Sequence, residues 1–370
     1  MDTSKESAVK HRHVFTTLRR EIQSGRWKRG ERLPSEAELG QRFAVSRITI
    51  GRAVRDLQQA GLVERRAGSG TFVGSGRGTT AMSFGLLIPD LGETEIFEPI
   101  CQGMMASPLA QEHALLWGSA TGVSATKEER AWQLCQQYIE RQVSGVFFAP
   151  LEGSPTKDEW NRRIGRALDV ARIPVVLLDR AIEPYPDPGR HDLVGIDNRR
   201  AGYVVTDHLR RLGCDRIAFV GPPHAAPTVD AREAGYREAL YRSDAAVDPG
   251  LIVRFEPDDV EAVRRLIGTH HPDGLVCAND RIAARIMAVL GRLHIRIPHD
   301  IRIVGIDDVE YARLLPVALT TMHQPTLQLG DAALGVMLDR IARKALPVRH
   351  VLLNADLIVR ESCGTNKNDA

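Results

Sequence analysis

The sequence predicts an α/β protein in which a small helical N-terminal domain precedes a larger, two-lobed domain with parallel sheets. Residues 33–73 contain two short helical segments, a tight turn and a glycine-tipped hairpin. From residue 83 onward, short apolar runs alternate with segments of helical period, which is typical of parallel sheets covered by helices. Charge divides the chain at the same place, because residues 1–80 carry 16 Lys and Arg against 8 Asp and Glu, whereas the remaining 290 carry 33 against 39. A basic head on an acidic body indicates a head with affinity for a polyanion.

The first two helical segments have clear start signals. Ser35 followed by Glu38 is a capping box, and Ser46 can cap a second helix that is predicted to end at Ala60, before Gly61. In this second helix the 3.6-residue period predicts a buried face made of Ile50, Ala53, Val54 and Leu57. The opposite face carries Ile48, Gly51, Arg52 and Arg55, with Arg47 at its edge and Thr49 in the first turn. Arginines there suit phosphates and guanine edges, and Ile48 suits a thymine methyl group.

An ordinary amphipathic helix with a solvated basic face would show the same charge pattern. The segment that follows favours DNA binding instead, because residues 62–66 and 71–73 are strand-like and residues 67–70 form a glycine-containing turn. Arg65 and Arg66 stand at the base of this hairpin, where a wing would lie along a phosphate backbone. The order of elements predicts a winged helix-turn-helix.

The same segment, LPSEAELGQRFAVSRITI followed by GLVERRAGSGTFV, resembles the DNA-binding domain of GntR-family transcription regulators over about residues 10–74. Many members have Arg where this chain has Ala37 and Gly51, so the base contacts of those arginines do not carry over, while Arg47, Thr49 and the wing glycines do. We predict a winged helix-turn-helix domain at residues 8–74 that binds double-stranded DNA. Its predicted contact residues are Ser35, Glu36, Ser46, Arg47, Ile48, Thr49, Arg52, Arg55, Arg65, Arg66, Gly68 and Gly70.

Several functional classes are disfavoured by composition. No apolar run approaches 18 residues and the N-terminus lacks an apolar segment, so we expect neither a membrane span nor a secretory signal, and predict a cytoplasmic protein. The five cysteines are widely separated, which favours reduced thiols, and neither they nor the pair His270 and His271 indicates a metal site. Residues 75–82 are small and polar and are predicted to be a flexible linker; a phosphate-binding loop is the weaker alternative there.

The larger domain places polar residues where predicted strands end. These clusters are Asp90, Asp179 with Arg180, Asp197 with Asn198, Asn279 with Asp280, and Asp307 with Asp308. The carboxyl ends of parallel strands share one edge of a sheet, where ligands of open α/β sheets bind. Each acid could instead cap the helix that follows it. Taken together, the five clusters predict a cleft for the hydroxyl groups of a sugar.

Residues 83–364 resemble the effector-binding domain of the LacI/GalR regulators, which is similar to periplasmic sugar-binding proteins. The most specific stretches are VGIDNRRAGYVVTDHLRRLGCDRIAFVG and RIVGIDDVEYARLLPVALTTMHQP. The resemblance implies one lobe at about residues 83–194 and 325–345, and a second at 195–323 and 346–364. It also implies effector contacts by Arg232, Asn279 and Asp307, with Phe97 at the mouth of the cleft. The full predicted effector set is Asp90, Phe97, Asp179, Arg180, Asp197, Arg232, Asn279 and Asp307.

The joining of these two domains is similar to the arrangement in the arabinose repressors of bacilli. We therefore predict a ligand-responsive transcription regulator without a cofactor, most simply a sugar-relieved repressor of carbohydrate-utilisation genes that binds a pseudo-palindromic operator as a homodimer. The alternative is a sugar-metabolising enzyme fused to a DNA-binding head. That alternative requires a P-loop, a dinucleotide fingerprint or a Schiff-base Lys. The sequence contains neither a P-loop nor a dinucleotide fingerprint. No Lys is placed for a Schiff base either, because the lysines beyond residue 82 (Lys127, Lys157, Lys344 and Lys367) do not end a core strand.

Overall fold

The structure, a computed structural model, describes residues 3–23, 25–28, 30–59, 62–66, 69–73, 81–89, 95–118, 126–243, 245 and 247–365. The chain divides into two compact units, residues 1–82 and 83–370. The first unit is the predicted head, and the second contains two sheets. No helix among the described residues has the length and apolar character needed to cross a membrane.

The head is a winged helix-turn-helix. Its elements are α1 (Thr3–Gln23), α2 (Glu36–Phe43), α3 (Arg47–Gln59), β1 (Val63–Arg66) and β2 (Gly70–Val73). The two strands pair antiparallel from Val63 opposite Val73 to Arg66 opposite Gly70. Residues 60 and 61, where α3 was predicted to end, lie outside the described residues.

Local signals in the sequence explain where these helices begin. The Ser35 hydroxyl accepts from the Glu38 amide at 3.3 Å, and the Glu38 carboxylate accepts from the Ser35 amide at 2.7 Å, so the predicted capping box is formed. Ser46 likewise accepts from the amide of Thr49 at 3.3 Å. The predicted apolar face of α3 is in the core with α1 and the hairpin, where the buried side chains are Val14, Leu18, Leu33, Leu39, Ile50, Ala53, Val54, Leu57, Val63 and Val73.

The first sheet of the larger unit is parallel throughout. Its strands, in chain order, are β3 (Ser83–Leu87), β4 (Ala114–Trp117), β5 (Gly145–Phe148), β6 (Val175–Leu178), β7 (Asp192–Ile196) and β13 (His350–Leu353). They lie side by side in the order β13-β7-β6-β5-β3-β4. The helices of this lobe are α4 (Phe97–Ala106), α5 (Lys127–Glu140), α6 (Lys157–Val170) and α11 (Thr326–Ala342). Strands β5, β6 and β7 are buried along their whole length, which explains why β5 and β6 have no polar side chain and why β7 has none after Asp192.

The second sheet repeats this plan. Its strands are β8 (Ile217–Gly221), β9 (Ile252–Arg254), β10 (Gly274–Cys277), β11 (Arg302–Asp307), β12 (Thr320–His323) and β14 (Asp356–Ile358). Their order is β14-β12-β11-β10-β8-β9, and β14 alone among them runs antiparallel to its neighbour. The helices of this lobe are α7 (Asn198–Arg211), α8 (Pro227–Arg242), α9 (Val260–His270) and α10 (Asp280–Arg292).

The chain passes between the two lobes three times: from β7 to α7, from β12 to α11, and from β13 to β14. The last crossing differs from the prediction, which assigned all of residues 346–364 to the second lobe. Residues 350–353 instead pair parallel with β7 in the first sheet, from His350 opposite Leu193 to Leu353 opposite Ile196. Nothing in the local sequence of a short edge strand specifies which sheet it joins, because the pairing partner is 157 residues away.

Candidate functional site

The face of α3 that the sequence predicted to bind DNA is exposed to solvent. Ile48 is 85% exposed, and the side chain of Arg47 is 83% exposed. Arg52 and Arg55 are also exposed, one and two turns further along. Thr49 differs, because it is buried and its hydroxyl is 2.9 Å from that of Ser46. The structure thus assigns Ser46 and Thr49 to the start of the helix, and leaves Arg47, Ile48, Arg52 and Arg55 open to a partner.

A single carboxylate holds two of the predicted DNA-contact arginines. Glu36, at the start of α2, lies 3.7 Å from the Nε of Arg47 through Oε2 and forms an ion pair with Arg65 through Oε1. This acid therefore links the start of α3 to the wing. Ion pairs between exposed side chains are worth at most about 1 kcal/mol, so phosphates can displace Glu36 from either arginine at small cost.

The wing shows why glycine stands at its tip. Gly70 has φ +111°, a backbone conformation that favours glycine, and a Cβ there would lie 2.8 Å from the Nε of Arg32, a flexible side chain that would have to move. Arg66 stacks over the ring of Phe72 at 4.7 Å and also pairs with Glu64. Gly68 lies outside the described residues.

In the larger unit, polar side chains meet between the two lobes at the carboxyl ends of the strands. Arg180 follows β6 and is 4% exposed. Its Nη1 is 2.5 Å from Oε1 of Glu152, its Nε is 3.1 Å from Oδ2 of Asp179, and its guanidinium lies 5.4 Å from the ring centre of Phe97. The other carboxylate oxygen of Asp179 is buried and has no hydrogen-bond partner among the residues that the structure describes. An unsatisfied buried acceptor is costly, so this oxygen is ready to accept a hydrogen from a ligand.

The facing lobe presents Arg232 from α8. This side chain is 4% exposed, donates to Asn198 Oδ1 at 2.7 Å and to the carbonyl of Ala278 at 2.6 Å, and lies 3.5 Å from Oδ1 of Asp307. The same Asp307 oxygen also accepts from Gln324 Nε2 at 2.7 Å. These contacts fix the guanidinium of Arg232 in one orientation.

Two of the carboxylates in the cleft, Asp307 and Glu152, have pKa values that are shifted in opposite directions. Desolvation by burial raises the pKa of Asp307, and the attraction of Arg232 only partly offsets the rise. Burial alone would also raise the pKa of Glu152, but the charge and hydrogen bond of Arg180 outweigh it and lower that pKa. The cleft therefore contains one carboxylate with a strong counter-ion and one that more readily keeps its proton, and so offers both acceptor and donor groups.

The space between these side chains is small. The cavity measures about 30 Å³, and its lining is Glu95, Ile96, Glu152, Asp179, Arg180, Thr228, Val229, Arg232, Asn279, Arg281 and Asp307. This volume holds about two water molecules. The two lobes also touch at the mouth of the cleft, where the amide of Gly153 donates to the carbonyl of His224 at 3.0 Å. The lobes must separate for a monosaccharide to enter.

The structure brings together most of the predicted effector residues. Asp179, Arg180, Arg232, Asn279 and Asp307 line the cavity, and Phe97 packs beneath Arg180. Asp197 does not line it: its side chain is a cap on α7 and accepts from the Arg200 amide at 2.9 Å, which is the alternative role considered for such acids. Asp90 lies outside the described residues.

Sequence reasoning missed some lining residues, chiefly Glu152 and Arg281. Glu152 stands four residues beyond the end of β5, so a strand-end rule that allowed a longer loop would have found it. Asp280 and Asp308, which stand beside predicted residues, have other roles. Asp280 is buried and accepts from Thr321 Oγ1 at 2.5 Å and from the Val309 amide at 3.1 Å, while Asp308 pairs with Arg360.

Comparison with known proteins assigns both units. Residues 10–73 match the model of the gntR family of bacterial regulatory proteins, and residues 206–363 match that of the periplasmic binding protein-like domain. The chain joins a GntR-type DNA-binding head to a periplasmic-binding-protein-like domain. The predictions of both resemblances are thereby confirmed, as is the fold class.

Two relatives that align with most of this chain are named as transcriptional repressors. The arabinose metabolism transcriptional repressor of Geobacillus stearothermophilus is 26% identical over 92% of this chain and 94% of its own length. The ribose operon repressor of Halalkalibacterium halodurans is 26% identical over 78% of this chain and 82% of its own. These relatives confirm the prediction of a transcription regulator rather than an enzyme.

Solved structures agree with this assignment. A complex of the transcriptional regulator CelR with cellobiose covers 86% of this chain and 91% of its own, with a TM-score of 0.65 and 25% identity. The transcription regulator GntR of Chromobacterium violaceum covers 76% of this chain and 100% of its own, with a TM-score of 0.61 and 27% identity.

Proposed function

We propose that this GntR-headed regulator represses carbohydrate-utilisation genes and that a sugar or sugar-like effector, bound between the lobes, releases it from DNA. The observation that carries the proposal is the convergence of Asp179, Arg180, Arg232, Asn279 and Asp307 on one cleft. Sugars need many paired donors and acceptors, and this cleft offers both. Since operator DNA is cytoplasmic, the proposal assigns the protein to the cytoplasm.

The proposed switch is a shift between open and closed lobes. A ligand that contacts Asp179 and Arg180 on one side and Arg232 and Asp307 on the other binds the closed arrangement better. It shifts the equilibrium only by this difference in affinity. The first lobe follows the linker directly, so closure can change the spacing of two heads in a dimer and weaken their hold on the operator.

The proposed DNA-bound form is a homodimer on a pseudo-palindromic operator, because two related heads read two half-sites. Exposed apolar side chains on the first lobe support a dimer contact there: Met105 on α4 is 62% exposed, Leu109 just beyond it 48%, and Leu327 on the neighbouring α11 52%. Sedimentation of the full chain, with Leu327→Glu as the variant, tests this part. A parent chain that sediments as a monomer at micromolar concentration contradicts it.

A direct experiment combines ligand and DNA binding. The full chain is screened for thermal stabilisation by a panel of pentoses, hexoses, polyols and nucleosides, and each hit is titrated into the protein bound to DNA from its own promoter. Ligand at about 100 times its Kd stabilises the folded state by about 2.7 kcal/mol, which a melting curve detects readily. The proposal predicts that a stabilising sugar also releases the DNA. A stabilising ligand that tightens DNA binding would overturn the repressor mechanism, and the absence of any sugar hit would overturn the effector class.

A further inference from the structure

A second cavity lies on the flank of the first lobe and shares no lining residue with the effector cleft. Its volume is about 220 Å³. One wall is α6, the other is the loop of residues 181–191 that leads from β6 to β7, and His350 at the start of β13 closes one side. We refer to this cavity as the flank trough. It has room for far more than a water molecule.

The trough is held open by contacts at both of its ends. On α6, Arg162 and Asp169 are seven residues apart and therefore lie on one face. Arg162 Nε donates to Glu183 Oε2 at 2.9 Å, and Asp169 Oδ1 is 3.0 Å from His191 Nε2, so the loop is tied to the helix at two points. Gly165 stands between these ties.

Gly165 determines how closely the loop approaches the helix. A Cβ at this position would lie 3.1 Å from Cδ1 of Ile182 and 3.3 Å from Cε1 of His191, both tighter than ordinary contact. Even a methyl group here would require those two side chains to shift by a few tenths of an ångström, so glycine allows the loop to pack this closely against α6. The walls are fixed by specific contacts and do not depend on a loose loop.

The acidic side chains that line the trough have partners, whereas two of its arginines have none among the described residues. Each acid has a partner within the trough: Glu183 pairs with Arg162, Asp169 contacts His191, and Asp187 accepts from the Gly189 amide at 2.8 Å. Arg166 and Arg190 line the same space, and neither makes a hydrogen bond or ion pair with any residue that the structure describes. The acceptors are occupied, and two guanidinium groups are available.

We propose that the flank trough is a second small-molecule site and that it binds the phosphate group of a phosphorylated metabolite. Guanidinium groups present planar pairs of donors that match phosphate oxygens, and Arg166 and Arg190 stand on opposite walls, with the imidazole of His350 on a third side. Donors from three directions suit three phosphate oxygens better than the two oxygens of a carboxylate. This site is independent of the proposed sugar effector, because the two cavities share no residue.

The experiment measures binding of inorganic phosphate to the full chain by titration calorimetry at constant ionic strength, with acetate as a second probe. Phosphate is expected to bind at one site per chain and more tightly than acetate. Arg166→Ala and Arg190→Ala are each expected to weaken phosphate binding about tenfold, the equivalent of losing one charge-assisted hydrogen bond. Both arginines are exposed, so melting curves of the variants should match the parent.

Two matched variants separate the trough from other basic surfaces. Arg292 is an exposed arginine on α10 of the other lobe that likewise has no partner among the described residues, and Arg281 lines the effector cleft. Arg292→Ala and Arg281→Ala should leave phosphate binding unchanged. If Arg292→Ala weakens phosphate binding as much as the trough variants do, the attraction is unspecific. If only Arg281→Ala weakens it, the anion binds in the effector cleft. Either result overturns the proposal, as does unchanged phosphate binding in both trough variants. A sugar phosphate that binds more tightly than inorganic phosphate identifies a metabolite, and equal binding identifies the free ion.

Discussion

Arginine has opposite surroundings in the two units of this protein. In the head, the side chains of Arg47, Arg65 and Arg66 are 83%, 45% and 56% exposed, and each pairs with an acid that is itself partly exposed. In the cleft, Arg180 and Arg232 are each 4% exposed and held by contacts from two or three directions. Exposed arginines act through charge and depend on salt, whereas buried ones act through fixed geometry. The same residue type thus serves attraction to a polyanion in one unit and discrimination of a small molecule in the other.

The largest effect is expected at Arg232. Arg232→Ala leaves Asp307, Asn198 and the Ala278 carbonyl without their shared donor, and removing one partner of a buried charged pair costs about 2–5 kcal/mol. We expect effector affinity to fall by about 100-fold or more while operator affinity stays as in the parent. Operator release as a function of sugar concentration measures both. Arg232→Lys is the control that keeps the positive charge but loses the planar set of guanidinium donors. Release curves equal to that of the parent in both variants would show that this cleft is not the effector site.

A smaller loss is expected in the head. Arg47→Ala should weaken operator binding by about 1–3 kcal/mol if this residue reads a base, whereas Arg65→Ala should weaken all sequences alike and reduce the salt slope by about one unit. Fluorescence anisotropy with operator and random DNA at several salt concentrations distinguishes the two. If Arg47→Ala binds the operator as tightly as the parent, its assignment as a base contact is wrong.

The raised pKa of Asp307 predicts a pH-dependent stability. A carboxyl group whose pKa is higher in the folded chain keeps its proton where the unfolded chain, with a pKa of about 4, has lost it. The free energy of unfolding therefore falls as pH rises from about 4 toward the raised pKa. Asp307→Asn removes this dependence, so the variant should gain stability relative to the parent as pH rises through that interval. Denaturant unfolding across the interval checks this, and parallel pH profiles for variant and parent would contradict it.

The smallest effect is expected at Gly51, a glycine inside α3. A Cβ here would have the Glu36 carboxylate as its nearest neighbour, at the ordinary contact distance of 3.7 Å, so the helix should accept Ala and gain up to about 1 kcal/mol of stability. Gly70→Ala is the opposing control, because the positive φ of this residue should make a side chain there destabilising. Thermal unfolding measures both. Weaker operator binding by Gly51→Ala would show that DNA needs the space that glycine leaves.

The sequence predicted elements well where their signals are local. Strand β5 is one of the short apolar runs by which the sequence predicted parallel sheets, since a strand buried on both faces is apolar throughout. In contrast, α6 has a weaker local signal, because KDEWNRRIGRALDV is rich in charge and turns only Asn161, Ile164, Gly165 and Leu168 fully inward. The placement of β13 was wrong because sheet pairing is a long-range property.

The candidate cleft shows the same limit. Strand ends located Asp179, Asn279 and Asp307, because the carboxyl edge of a parallel sheet gathers whatever follows each strand. The same rule was misleading for Asp197, since α7 starts at the next residue and uses that side chain as its cap. Whether an acid after a strand caps or binds depends on the backbone of the loop, which the sequence does not state.

The number of connections between parts of this molecule limits how it can change over generations. The head is joined to the rest of the chain by one segment, so a single recombination event can replace it with a head that reads other DNA. The two lobes are joined by three segments, and no single cut in the gene separates them. A new target promoter can therefore be acquired by exchange of a whole module. A new effector must be reached by successive point substitutions in a cleft whose two walls are inherited together.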